Sequence, residues 1–95
     1  MSKTTRYDSA EYLDSPEAVA EYLTAALETA DASFIARAIG TAARAHGMSE
    51  IAREAGLSRE NLYRSLNGET KTELETVIRV LGALGIRLTA TPKAA

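Results

Sequence analysis

Residues Met48–Gly68 read MSEIAREAGLSRENLYRSLNG, and their pattern decides the fold. Two short amphipathic segments flank a Gly56-Leu57-Ser58 break. Short helices that cross steeply need a tight turn, a small residue at the crossing and apolar anchors on both sides. Ala52 is the small residue, and Gly56 can take the left-handed backbone that closes a three-residue turn. Ile51, Ala55, Leu57, Leu62 and Leu66 are the expected anchors. Helices are therefore expected over about 49–55 and 58–66, with Ser58 capping the second.

With those anchors turned inward, Arg59, Glu60, Asn61, Tyr63 and Arg64 face solvent. This is the helix-turn-helix pattern, in which the second helix enters the major groove of DNA. Arg59 and Arg64 can donate paired hydrogen bonds to guanine or to phosphates, and Asn61 can bond adenine at two points. Tyr63 suits a thymine methyl or a phosphate, and Glu60 can accept from cytosine or repel a misplaced backbone. Ser49 opens the first short helix, where its hydroxyl and the free backbone N–H groups suit a phosphate. Ser58, Asn67 and Lys71 complete the expected contact set. The bland reading of the same residues is a helical hairpin whose arginines are simply solvated.

Outward from this stretch the chain reads as helix on either side. In SPEAVAEYLTAALE, Ser15 can cap, Pro16 suits the first helical position and Glu17 suits the positive end of the dipole. Val19, Tyr22, Leu23, Ala26 and Leu27 make one apolar stripe. A second helix is expected through SFIARAIGTAARAH, capped by Asp31 or Ser33 and stopped by Gly47, with Phe34, Ile35, Ala38, Ile39, Ala42 and Ala45 inward. Gly40 within it is expected to mark a close helix approach. After Gly68, TELETVIRVLGALG predicts a last helix with a Thr72/Glu75 capping box and an inner face of Leu74, Val77, Ile78, Leu81 and Leu84. The alternation in IRLTATP predicts a short strand, Ile86–Thr91, which needs a partner from the N-terminal arm, a second protomer or another protein.

The expected architecture is thus all-α: a five-helix domain over 15–85, with an arm at 1–14 and a strand and tail at 86–95. The N-terminus lacks the apolar core of a secretory signal, and no apolar run is long enough to cross a membrane, so the cytoplasm is the expected compartment. Cysteine is absent and His46 is the single histidine. No catalytic centre, cofactor site or metal site is expected from that material. His46 is expected beside the terminal carbonyls of its own helix, and Met48 within the core. The net charge of −2 is unevenly distributed. Residues 1–31 sum to −5, residues 32–66 to +2 and the remainder to +1. An acidic front and a mildly basic body suit partners of opposite sign.

The run ARAHGMSEIAREAGLSRENLYRSLNG, the ending ALGIRL and the upstream YDSAEYLDSPEAVAEYLTAALE together resemble the addiction-module antidote proteins, the HigA-type helix-turn-helix antitoxins. The resemblance spans about Tyr7 to Leu88. It implies a phage-repressor-like fold, no enzymatic activity, binding and neutralisation of a RelE/HigB-type ribonuclease toxin, and repression of the operon that encodes both. Toxins of that kind are typically basic, so the resemblance gives the acidic front a role in docking. Tyr7, Asp8, Tyr12 and Leu13, with outward positions of the first helix, are the expected toxin contacts. Ile86 and Leu88, with the helix before them, are the expected seam of a homodimer on a palindromic operator. A stand-alone phage-type repressor and a protein-interaction module that does not bind DNA are the competing readings.

Overall fold

The computed structural model describes residues 13–94. Among them are five helices and no strand: α1 Pro16–Leu27, α2 Ala32–His46, α3 Met48–Ala55, α4 Arg59–Ser65 and α5 Leu74–Ala83. The expected all-α class and helix order are observed. Tyr7, Asp8 and Tyr12, with the rest of the arm before Leu13, lie outside the described residues.

Local chemistry sets most helix ends. Ser15 has an extended backbone and its hydroxyl accepts from the Ala18 N–H at 3.1 Å, with Pro16 opening the helix behind it. Of the two caps expected for α2, Asp31 takes the position and accepts from the Phe34 N–H at 3.1 Å. The Ser33 hydroxyl instead donates to the Gly68 carbonyl, tying α2 to the loop after α4. Gly47 ends α2, as its position suggested.

Helix α3 packs on α5, α2 and α4, while α1 packs on α2. The largest fully buried side chains are Ile51, Leu62 and Val80, one each from α3, α4 and α5. Removing each from water is worth about 1.5–3 kcal/mol, so this centre fixes α4 to the body. Small residues let the helices close on it: Ala38, Ala42, Ala43, Ala52 and Ala55 are all buried. Gly40 is indeed a close approach, because a Cβ there would sit 3.0 Å from the Leu66 carbonyl oxygen at the end of α4.

Several expectations for the apolar faces require correction. Leu27, Phe34, Leu74 and Ile78 are exposed rather than inward, and Val80 is the fully buried residue of α5 that the expected face left out. The Thr72/Glu75 capping box does not form. Glu73 precedes α5 without a side-chain cap, Thr72 donates its hydroxyl to the Ser65 carbonyl, and Glu75 pairs with Arg79 at 2.8 Å. The open carbonyl at the end of α4 thus captures the hydroxyl that a cap would have used.

The expected strand over Ile86–Thr91 is also absent; the segment has no regular structure. Gly85 is left-handed (φ +81°), and the Ile86 N–H bonds the Leu81 carbonyl at 2.8 Å while the Gly85 N–H bonds Gly82 at 3.0 Å. These are the paired bonds of a Schellman motif. They commit the first N–H of the supposed strand to closing α5 and fold Ile86 against the core. No helix among the described residues is long and apolar enough to cross a membrane.

Candidate nucleic-acid interface

The turn that presents α4 is built from three backbone facts. Gly56 is left-handed (φ +75°, ψ 32°), the Leu57 N–H bonds the Ala52 carbonyl at 2.9 Å, and the Gly56 N–H bonds Arg53 at 3.3 Å. This is a second Schellman closure, and it turns the chain immediately after α3. Ser58 is then extended, and its hydroxyl accepts from the Asn61 N–H at 3.0 Å to start α4. Leu62 and Leu66 point inward, fully or almost fully buried. The rest of the helix surface consequently faces solvent.

Arg59, Glu60, Asn61, Tyr63 and Arg64 are all exposed. The Arg59 guanidinium lies 5.6 Å from the centre of the Tyr63 ring and donates to its hydroxyl at 3.2 Å. Arg64 donates to the Asn61 side-chain oxygen at 3.0 Å. Each arginine is steadied by a neutral neighbour and meets no carboxylate among the described residues, so most of its five donors stay open. The Asn61 oxygen can accept a second bond and its amide nitrogen can donate, which is the pattern adenine requires. By contrast, Arg53 lies 3.9 Å from Glu50 and Arg79 lies 2.8 Å from Glu75.

The remaining expected contacts lie around this helix. Ser58 is exposed at its start. Asn67, just past its end, is exposed and accepts from the Glu69 N–H at 2.8 Å, which orders the loop. Lys71 is exposed further along that loop. Ser49 is exposed in the first turn of α3, where Gly47 provides no side-chain cap. Glu50 follows it and sits 3.8 Å from His46. His46 therefore faces a carboxylate on the next helix, a difference from the expected contact with its own helix end. No group of three His, Asp or Glu residues among the described residues is arranged to hold a metal.

The other expected sites are placed differently. Leu13 is buried in the core, so it offers a partner little surface. Asp14, Glu17, Glu21, Glu28 and Asp31 are exposed on and beside α1. Leu88 is exposed, whereas Ile86 is partly buried against the core of its own chain. Sequence reading passed over Arg37 and Arg44, exposed on α2 beside the end of α4. Their seven-residue separation, with Thr41 between them, was the available signal.

Fold and site define a small all-helical domain that carries an exposed helix with two outward arginines after a glycine-closed turn. The chain belongs to the family described as "Probable addiction module antidote protein", whose model matches residues 3–92. It is also similar to an uncharacterised protein of Haemophilus influenzae, with 42% identity over 81 residues that cover 85% of this chain and 84% of the relative. No solved structure matches the chain.

Proposed function

We propose that this member of the antidote family is a HigA-type antitoxin that neutralises a RelE/HigB-type ribonuclease toxin and represses its own operon by binding DNA through α4. Family membership supports the antitoxin role. The observation that carries the DNA-binding part is the face of Arg59, Asn61 and Arg64, exposed, preordered and without a carboxylate partner among the described residues. Arg59 and Asn61 read base edges, and Arg64 serves a base or a phosphate. Glu60 and Tyr63 set register, while Ser49, Ser58, Asn67 and Lys71 hold the sugar-phosphate backbone.

A homodimer places two α4 helices one turn of DNA apart, on the order of 34 Å, on a palindromic operator. The exposed apolar side chains Leu74, Ile78 and Leu88 supply its seam. The toxin meets the opposite charge on the acidic carboxylates around α1, with Tyr7, Asp8 and Tyr12 of the arm as further contacts. Leu13 contributes by anchoring the arm to the core. The protein acts in the cytoplasm without a cofactor.

The test is titration of the purified protein against promoter DNA from its own operon. Arg59→Ala and Asn61→Ala should each cost roughly 1–3 kcal/mol of operator affinity and relax the preference for one base position. If both variants keep wild-type affinity and selectivity, α4 is not the reading helix. Failure of wild-type protein to retard its promoter would leave toxin binding as the remaining function.

A further inference from the structure

The stripe that α2 turns outward beside the end of α4 has no assigned role. Arg37, Thr41 and Arg44 lie at spacings of four and three, which puts them on one helix face. Arg44 donates to the Thr41 hydroxyl at 3.2 Å, and Thr41 in turn donates to the Arg37 carbonyl at 3.1 Å. The Arg37 guanidinium donates to the Ser33 hydroxyl at 2.7 Å, and Ser33 bonds the Gly68 carbonyl. Both cations are thereby held in place by hydroxyl groups, with most donors of each fork still open.

Backbone geometry ties this stripe to the exit of α4. A Cβ on Gly40 would meet the Leu66 carbonyl oxygen at 3.0 Å and an Arg44 nitrogen at 3.5 Å. A Cβ on Gly68 would lie 2.7 Å from the Arg37 side chain, so the arginine stem rests directly on the loop that leaves α4. Arg37, Thr41, Arg44 and Asn67 line one shallow depression, with Phe34 and Tyr22 as its apolar walls. No carboxylate among the described residues lines it. Two ordered guanidiniums, a hydroxyl and an amide form a donor set for an anion.

We infer that Arg37 and Arg44 clamp the phosphate backbone of DNA alongside the groove that α4 reads. The inference rests on the proposed DNA reading and extends its footprint from the turn and its two helices to α2. The choice of DNA over the toxin follows from charge. A basic toxin is repelled by this depression and attracted to the acidic side chains of α1, whereas a polyanion is attracted here. Phosphate contacts of this kind strengthen binding to every duplex equally and carry no base preference.

The experiment measures binding of the full chain to operator DNA and to an unrelated duplex between 50 and 200 mM salt. Each phosphate contact contributes about 0.9 to the slope of log affinity against log salt. Arg37→Gln with Arg44→Gln should therefore flatten that slope by about 1.8 for each protomer bound, about 3.6 for the dimer. Over the same salt range the variant dimer should lose roughly hundred-fold less affinity than wild type. Its binding should weaken by one common factor on both duplexes, leaving the specificity ratio unchanged. Lysine at both positions should restore the slope. The single glutamine variants, each removing about 1.8 from the slope of the dimer, repeat the measurement if the double variant unfolds early. An unmoved slope in a protein that still binds its operator overturns this inference alone. Loss of toxin binding with DNA binding intact would assign the depression to a protein and also overturn it. A wild-type protein that binds neither duplex would sink it together with the reading of α4.

Discussion

Replacing Gly56 by alanine tests the turn on which the presentation of α4 depends. At φ +75° an alanine Cβ crowds the following carbonyl, a cost of about 1–2 kcal/mol. The new methyl would also lie 3.4 Å from an Arg79 guanidinium nitrogen, the free end of a flexible side chain, so packing adds little. Against this, losing a glycine restricts the unfolded chain and returns about 0.4–1 kcal/mol. The balance is a net loss between about 0 and 1.6 kcal/mol, centred near about 0.8, obtained by subtracting the second range from the first. For a domain of this size that corresponds to a fall in Tm of roughly 5 °C. Gly56→Asn should lose less, because asparagine tolerates the left-handed region. Urea unfolding followed by circular dichroism gives the free energies directly, with an unchanged m-value expected for an unaltered folded state. If Gly56→Ala is more stable than wild type, residue 56 is not left-handed in solution and the aim of α4 needs another explanation.

Two further substitutions test other parts of the molecule. Leu62→Ala removes one of the three largest fully buried side chains and should cost about 2–5 kcal/mol in urea unfolding; a loss below 1 kcal/mol would mean that α4 is not anchored as described. Ile78→Glu introduces a charge on an exposed apolar side chain, so the folded chain should keep its stability while the dimer weakens by roughly ten-fold or more, read by mass against concentration. An unchanged dimer mass would move the seam away from α5.

The turn and its two helices were legible because every signal in them is local. Gly56, the anchors Leu57 and Leu62 and the cap at Ser58 act within a few residues of where they stand, and the observed helix ends fall within one residue of those expected. Long-range competition was not legible. Thr72 and Glu75 have the spacing of a capping box, but the Ser65 carbonyl, seven residues upstream of Thr72, takes the hydroxyl. The alternation beyond Gly85 suggests a strand, whose first N–H closes the helix instead. Phe34 shows the limit of counting apolar residues. At 100° per residue it lies roughly 110° from the centre of the α2 arc formed by Ala38, Ile39, Ala42 and Ala43, and so about 40° outside its edge, and it is 41% exposed. No local signal places Arg37 and Arg44 beside α4, because they come there only when the loop after α4 folds back onto α2.

The inner face of α5 differs from the expected one for a reason that bears on assembly. Its apolar residues Leu74, Val77, Ile78, Val80, Leu81 and Leu84 cover an arc of roughly 160° at 100° per residue. A single groove needs only about 100° of that. Periodicity shows that such a helix is too apolar for one partner, but not which part of the arc each partner takes. The fold assigns Val80, Leu81 and Leu84 to the chain's own core and leaves Leu74 and Ile78 at 67% and 54% exposure. One turn beyond Ile78, exposed Gly82 has nothing within 4 Å of where a Cβ would sit. A glycine inside a helix costs about 1 kcal/mol relative to alanine, and nothing packed against Gly82 among the described residues offsets that cost. Two apolar side chains and an open glycine along one exposed face suit the close approach of a second backbone. The same face supplies the proposed two-fold pairing that a palindromic operator requires.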